Sequence, residues 1–241
     1  MYNNYMVTTV GSYENKFWQK KWSGIKKHFT VTPKQYSLIV GSLLGDGTMR
    51  MGKSAINVNF KVEQGLAQKE YVVWKYKILK SLVFTEPKLS YRYKINGEKY
   101  PKSWWFRTLR HPVFMPIYKN FYEGKGYRTG RKIIPKNIGE YMNPLVLATW
   151  IMDDGSYAKG RIDISTYSFL LKEINILQKS LKDIFDIESR YYQDRNKGYR
   201  MYCNQKETKK LISVIKPHVI PSMTYKIGFR NPVTTEFSYS I

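Results

Sequence analysis

The chain is poor in cysteine, histidine and acid. One cysteine, Cys203, among 241 residues excludes an internal disulfide framework and any Cys-based zinc site, the usage expected of an intracellular, reduced protein. The three histidines, His28, His111 and His218, stand far apart and make no H-x-x-x-H spacing. No apolar run approaches the roughly 18 residues that a membrane span needs. The N-terminal stretch M-Y-N-N-Y-M-V-T-T-V lacks the charged region and apolar core of a secretory signal, so neither a membrane partner nor a secretory route is expected. Acid is the most telling shortage: 18 Asp and Glu face 41 Lys and Arg, a formal charge of +23. A compact fold with that excess repels itself unless an anion neutralises it. Nucleic acid fits, because each phosphate contact releases a counterion. A membrane surface would favour basic helices with clean apolar faces, whereas the basic residues here are spread over the whole pattern. With 42% hydrophobic and 16% aromatic residues the chain can bury a core, and its length allows one large domain or two small ones. Richness in Lys, Tyr, Ile and Asn points to an AT-rich genome such as an organelle's (mitochondrion or chloroplast), with the bacterial cytoplasm as the alternative.

What the chain does carry is one stretch twice. Ser37–Gly47 reads S-L-I-V-G-S-L-L-G-D-G, and Leu145–Gly155 reads L-V-L-A-T-W-I-M-D-D-G. Each is an apolar run with small residues inside it, closed by Asp-Gly. As helices, they set Asp46 and Asp154 at the last helical position. Gly47 and Gly155 then sit just past the end, where glycine takes positive φ at no steric cost. A single run of this kind is an ordinary core helix. Two, in a strongly basic chain, suggest paired carboxylates holding a metal against a phosphate backbone.

Residues 1–31 show no periodicity and carry Lys16, Lys20, Lys21, Lys26 and Lys27 around Trp18 and Trp22, a basic arm expected to dock loosely. Thr32-Pro33 supplies an N-cap with Pro at the first helical position. Ala55–Glu63 alternates, with Ile56, Val58, Phe60 and Val62 on one face and Asn57, Asn59, Lys61 and Glu63 on the other, a half-buried strand. Gln68–Val83 has helical spacing through Tyr71, Trp74, Ile78 and Leu82. Leu89–Ile95 and Ser103–Leu109 alternate again around Asn96-Gly97, a hairpin signal. His111–Tyr122 reads as a short helix and Glu123–Arg131 as an exposed Gly-rich loop. The order then recurs. Asn143-Pro144 caps the second run, Arg161–Thr166 is a strand, and Ser168–Phe185 is a helix. Ile187–Tyr192 and Tyr199–Cys203 form a hairpin, and Glu207–Ile215 is a last helix. Both halves carry Ile-Pro with basic residues after it, at Ile134-Pro135-Lys136 and at Ile220-Pro221 with Lys226 downstream. This is an internal duplication. It divides the chain into an arm (1–31), a first half (32–122), a linker with its Ile-Pro loop (123–142) and a second half (143–241).

The two runs resemble the signature motifs of the LAGLIDADG homing endonucleases, in the monomeric form where one chain carries both copies. Ile39–Gly47 matches at its glycine and terminal Asp-Gly. Leu147–Gly155 matches at the leucine, the alanine and the terminal Asp-Gly, with Thr149 where the motif has glycine. The W-x-M-D-D-G form and the I-P-x-M-x-Y-K run at Ile220–Lys226 both resemble a single-chain subgroup, and the resemblance spans about residues 34–230. It implies an α+β fold of two pseudo-symmetric αββαββα halves, joined by two packed motif helices and forming a saddle over double-stranded DNA. It further implies a monomer that cuts both strands of a long, non-palindromic site, with Asp46 and Asp154 coordinating Mg²⁺ (or Mn²⁺) at the scissile phosphates. By the same resemblance Lys132 and Lys226, one per half, stabilise developing charge or polarise the attacking water. Gln64, after the first strand, is a residue that could order site water, with no clear counterpart in the second half.

The spacing agrees with packed motif helices. Gly41 and Gly45 lie four apart on one face, and Thr149 and Asp153 four apart on the other, so the backbones can approach closely. Adjacent helical residues point about 100° apart, so only one of Asp153 and Asp154 can face the site squarely. Aligning Asp-Gly with Asp-Gly selects Asp154, and leaves Asp153 to a capping or structural role ahead of one as a metal ligand or a partner to the ligands. The polar strand faces offer Asn57, Asn59, Lys61, Arg92, Lys94, Arg107, Arg161, Asp163, Arg190, Tyr192 and Arg200 to base edges in the major groove. Trp74, Trp104, Trp105 and Trp150 are expected in the core rather than as base-stacking platforms. Two rivals keep the same fold: a maturase that binds intron RNA for splicing, and a non-catalytic DNA-binding regulator. Retention of both acids favours the nuclease.

Overall fold

A computed structural model describes residues 29–52, 57–124 and 130–229. The first half runs α1 (Pro33–Leu44), β1 (Thr48–Met51), β2 (Val58–Gly65), α2 (Lys69–Leu79), β3 (Lys88–Tyr93), β4 (Lys99–Arg107) and α3 (Met115–Phe121). A short pair, β5 (Tyr122–Glu123) and β6 (Arg131–Lys132), leads to the second half. That half runs α4 (Pro144–Asp154), β7 (Gly155–Ala158), β8 (Arg161–Ser165), α5 (Leu171–Phe185), β9 (Arg190–Gln193), β10 (Tyr199–Cys203) and α6 (Gln205–Ile215), followed by a 3₁₀ turn at Pro221–Ile227. The fold is α+β. Its two four-stranded antiparallel sheets have the same permuted order, β1-β2-β4-β3 and β7-β8-β10-β9.

The motif helices form the centre because they are apolar around almost their whole circumference. Residues Leu38–Leu44 of α1 and Val146–Asp153 of α4 are buried without a break. Both starts are capped as the sequence implies. Gln35 N–H donates to Thr32 Oγ1 (3.3 Å) while Thr32 N–H donates to Gln35 Oε1 (3.0 Å), and Asn143 Oδ1 accepts from the N–H groups of Leu145 and Val146. Asn143 also donates to Ser37 Oγ (2.9 Å), which ties the start of α4 to α1.

The two helices touch through glycine. A Cβ on Gly41 would lie 2.6 Å from Val146 O and 2.7 Å from Thr149 Cβ, and one on Gly45 would run into Asp153 Cβ. The facing pairs are therefore Gly41 with Thr149 and Gly45 with Asp153.

The helix ends differ from expectation. Helix α1 stops at Leu44, and Asp46 lies two residues beyond it, because the N–H groups of Gly45 and Gly47 both fold back to Ser42 O. Asp154 does end α4. Neither Gly47 nor Gly155 takes positive φ; Gly155 has φ −72°. Glycine is needed there for room. A Cβ on Gly47 would meet Ser42 O at 2.7 Å, and one on Gly155 would meet Ile151 O at 2.5 Å.

Strands β1 and β7 have no alternation for a sequence reading to detect, yet β1 starts just after an Asp-Gly and β7 on the glycine of one, and each pairs with the next strand. The strand expected over Ala55–Glu63 is β2 and runs from Val58 to Gly65, and a five-residue link at 94–98, with Gly97 at φ +82°, joins β3 to β4. Residues 1–28, 53–56 and 125–129 lie outside the described residues, and with them most of the arm, Ile56 and the middle of the Gly-rich loop. Phe29, at the arm's end, is buried against the rings of His111 and Phe114. The ends of that loop pair as β5 and β6. Trp150 is in the core, and Trp74 and Trp104 pack against it, but Trp105 is half-buried on the polar sheet face beside Lys61 and Arg107.

Gly41→Val should lower the free energy of unfolding by about 2–3 kcal/mol, since the obstructing atom is a backbone carbonyl that cannot rotate away. Gly65→Ala, with open space around the added methyl, should stay within about 0.5 kcal/mol. Urea unfolding midpoints of the two variants test the difference.

Candidate active site

The close approach of α1 and α4 delivers Asp46, Asp153 and Asp154 to one junction. Asp46 is exposed, Asp154 half-buried and Asp153 buried at 6% exposure. Their surroundings differ. Asp153 takes up most of the donors: Lys75 Nζ at 2.7 and 3.0 Å, Gln64 Nε2 at 3.1 Å and the Asp46 N–H at 3.4 Å. Asp46 accepts one side-chain bond, from the same Gln64 Nε2 at 3.1 Å. The Asp154 carboxylate accepts no hydrogen bond from any described residue. Burial, reinforced by the negative charges of Asp46 and Asp153, pushes its pKa up to about 8 against the partial offset of Lys132 and Lys226.

The two sequence-selected lysines take matching places. Lys132 Nζ donates to the carbonyls of Gly45 and Gly47. Lys226 Nζ donates to those of Asp153 (3.2 Å) and Gly155 (2.9 Å). Each lysine thus straddles one acid, bonded to the carbonyls of the residues before and after it. Burial lowers the pKa of both, and the three carboxylates oppose that shift. A cavity of about 630 Å³ opens beside Lys132, with Arg50 and Arg110 in its lining.

Gln64 is buried, and its amide bridges Asp46 and Asp153, so it acts on the acids rather than directly on site water. Register gives it a counterpart that sequence reading did not find. Thr48 faces Lys61 as Ser156 faces Asp163, which sets Thr166 opposite Gln64 across the pseudo-symmetry. The Thr166 hydroxyl donates to Tyr199 O and not to an acid.

Sequence reading also missed Lys75. It is fully buried on α2, its ammonium paired with the fully buried Asp153 side chain and 4.4 Å from the centre of the Tyr71 ring. The signal was present: Lys75 follows Tyr71 by four residues and so lies on the buried stripe of an otherwise apolar helix face.

Among the described residues no three His, Cys, Asp or Glu side chains form a ready cation cage. Asp46, with one bond from Gln64, and Asp154, with none from the described residues, are the carboxylates left to supply oxygen ligands, and Asp154 is crowded by like charge. That donor set fits a hard divalent ion whose remaining ligands come from water and phosphate.

The sheet residues proposed to read bases fall mostly on one face of each sheet. In the second sheet Arg161, Asp163 and Tyr192 form a network, and Arg200 is bonded separately on the same face. Arg161 donates twice to Asp163 (2.9 and 2.6 Å), Tyr192 OH donates to Asp163 (3.1 Å), and Arg200 donates to Ser156 Oγ (2.6 Å). In the first, Lys61 pairs with Glu63 and Arg107 is exposed beside Trp105, while Asn57 is half-buried. Arg92 and Arg190 are exposed. Lys94 lies beyond β3, in the exposed link, paired with Glu98 at 2.8 Å. Asn59 departs from expectation: at 5% exposure it is enclosed at the β1 side of the sheet, its Oδ1 without a partner, and cannot present its amide to a base edge.

A family model described as "LAGLIDADG DNA endonuclease family" matches residues 36–211. The cytochrome b mRNA maturase bI2 of Debaryomyces hansenii is 31% identical over 195 residues, covering 79% of this chain and 72% of that protein. DNA endonuclease I-ChuI of Chlamydomonas applanata is 29% identical over 213 residues, covering 84% of this chain and 98% of that protein. Against the bI2 maturase of Saccharomyces cerevisiae the match covers only 47% of the relative's length. Among solved structures, the homing endonuclease I-WcaI bound to its DNA recognition sequence superposes with a TM-score of 0.76 at 24% identity, over 86% of this chain and 92% of that one.

The crowding at Asp154 has a stability consequence. Its folded pKa stands above the unfolded value of about 3.9, so ionising it opposes folding as pH rises from about 4 to 8. Asp154→Asn should therefore stabilise the metal-free protein, on the order of 2 kcal/mol near pH 7, with the gain vanishing below about pH 4. Thermal melts in a chelator across that range test it.

Proposed function

This chain belongs to the LAGLIDADG DNA endonuclease family, and from that premise we propose that it cuts both strands of a long, non-palindromic DNA duplex by metal-assisted phosphodiester hydrolysis. The observation that carries the reading is the pair of lysine-straddled acids, one per motif, at the end of the packed helices. It is a monomer in this reading, with the first half at 32–122 and the second at 143–241, joined through 123–142. The two sheets carry their basic faces over the duplex, and the aromatic and acidic groups that now hold those bases yield to base edges and phosphates.

Asp46 and Asp154 would hold Mg²⁺ between the protein and the scissile phosphates. Held there, the ion would supply Lewis-acid chemistry for the phosphoryl oxygen and an attacking water. Lys132 and Lys226 act from fixed positions: each ammonium is anchored by two carbonyls and its burial strengthens its field on any charge developing at the phosphate. Gln64 fixes the Asp46 carboxylate before substrate arrives. The excess of basic residues supplies affinity that carries no sequence information, and the asymmetric sheet faces supply the sequence.

A second reading has a specific observation behind it, since a relative 31% identical is named an mRNA maturase. Binding of structured RNA that persists when both acids are changed to Asn would support that additional role.

Asp46→Asn and Asp154→Asn should each reduce double-strand cleavage in Mg²⁺ by at least ~10³-fold while changing duplex affinity less than about threefold, if the acids act on charge that develops in the reaction. Cleavage selection on randomised duplexes followed by gel-shift titration reads both quantities; full activity in both variants would remove the assignment. Affinity should also fall steeply with salt, with a log–log slope near −9 for a footprint of ~10 phosphates. A nearly flat salt titration contradicts the basic sheet faces as the binding surface.

A further inference from the structure

We propose that Lys75, Asp153 and Gln64 form a positioning relay that acts on Asp46 and not on Asp154, so that the two DNA strands are cut under different control. The inference rests on the nuclease reading above and adds a regulation of its site.

The duplication makes the inequality visible. Gly45-Asp46-Gly47 in the first half aligns with Asp153-Asp154-Gly155 in the second. The lysines respect the symmetry, each bonded to the two carbonyls that flank its acid. The side chain of Asp153 breaks it. It projects from the second motif across the missing Cβ of Gly45, into the first half, where it accepts from Lys75, from Gln64 and from the backbone N–H of Asp46 itself. Gln64 is held on one side by Asp153 and on the other holds Asp46, with both bonds at 3.1 Å from the same nitrogen.

Asp46 is thereby restrained twice, at its backbone through Asp153 and at its carboxylate through Gln64. Among the described residues nothing equivalent reaches Asp154. Thr166, at the position matching Gln64, is committed to Tyr199 O, and no residue matching Asp153 exists in the first motif because Gly45 stands there. With its donors already supplied by protein, Asp153 is a structural acceptor and not a third ligand for a cation.

Lys75 is the source of the relay's rigidity. Its ammonium and the Asp153 carboxylate are both completely buried and bonded through both oxygens, so the carboxylate has one orientation available. Removing Lys75 alone leaves a buried unpaired charge and endangers the fold; a neutral pair of similar shape avoids that.

The test uses the full-length chain and a duplex obtained by cleavage selection, labelled separately on each strand, in Mg²⁺. Gln64→Leu, which leaves the Lys75–Asp153 pair intact, and the double variant Lys75→Met with Asp153→Asn are compared with the unaltered chain; Thr166→Val is the symmetry control. Melting temperature is recorded for each. The expected result is that Gln64→Leu and the double variant both shift the ratio of the two strand-cleavage rates about tenfold, in the same direction, while Thr166→Val shifts it less than twofold. A loss of stability alone slows both strands together and leaves the ratio unmoved.

Calorimetric Ca²⁺ titration of the complex with a duplex carrying non-hydrolysable linkages at both cut positions gives a readout apart from turnover. One Ca²⁺ affinity should weaken about tenfold in Gln64→Leu, with any other unchanged. Equal slowing of both strands, opposite shifts in the two variants, or unchanged Ca²⁺ affinity overturns the relay while leaving the nuclease reading in place. An unaltered chain that cuts neither strand overturns the nuclease reading and the relay with it.

Discussion

The approach of α1 to α4, with no Cβ at Gly41 or Gly45 to hold them apart, is the contact on which everything else depends. It is made of backbone against side chain at van der Waals distance, and so it fixes the crossing of the helices within tenths of an ångström. Because both helices run toward the junction, their C-terminal ends and the acids that follow arrive together. Helix C-termini carry partial negative charge from their unpaired carbonyls, so the junction gathers two negative helix ends and three carboxylates in one place. Lys132 and Lys226 answer both problems at once. Each caps the open carbonyls at the end of a motif and sets a positive charge beside the acid.

That compensation is incomplete, and its incompleteness is informative. Three carboxylates, one buried, one half-buried and one exposed, face Lys75, Lys132 and Lys226, yet burial and mutual repulsion still drive the Asp154 carboxyl up to about 8. A structural site would have given Asp154 a donor, as Asp153 was given three. Leaving one carboxylate crowded and unbonded keeps the protein less stable than it could be, which is the common cost of a site prepared for a ligand. The sheets show the same preparation on a weaker scale. Arg161 and Asp163, Arg200 and Ser156, Lys61 and Glu63 hold one another at a solvent-facing surface, where such pairs contribute little, so that in the proposed complex they can give way to phosphate or base partners.

Much of this was legible in the chain and some could not be. The two helices, the N-caps at Thr32 and Asn143, the hairpins and the facing of Gly41 and Gly45 by Thr149 and Asp153 follow from periodicity and residue size, which are local properties. Strands β1 and β7 escaped because four residues paired at a sheet edge need no alternation of their own. Asp154 ends α4 as read, but the end of α1 and both glycine caps were misjudged because Asp-Gly has two uses: a left-handed cap, or a turn where glycine is required by a neighbour's backbone, and only the packed structure distinguishes them. Asn59 belonged to the polar stripe of β2 by alternation, but alternation says which face a residue occupies and not whether that face is covered there. Lys75 was readable in principle, as a charge on a buried stripe. Its partner was not, since nothing local connects a lysine on α2 to the first of two aspartates at the end of α4.

The asymmetry of the junction follows from the same packing that creates it. Where two helices cross at a glycine, only the opposite helix can carry a side chain, so a duplicated motif cannot keep identical residues on both sides of the contact. Aspartate in both copies at positions 45 and 153 would place two side chains in the space that the structure shows is filled by one. Once Asp153 occupies that space, its charge is sealed from water, and a buried carboxylate without a partner costs several kcal/mol. Lys75 on α2 is the partner, and it is reachable only because α2 packs against the first half's motif helix and strands. Gly45, Asp153 and Lys75 therefore form one unit, in which the first permits the second and the second demands the third. Two halves that carry this unit on one side only have no exchange symmetry at the acids themselves, which suits the non-palindromic target proposed above.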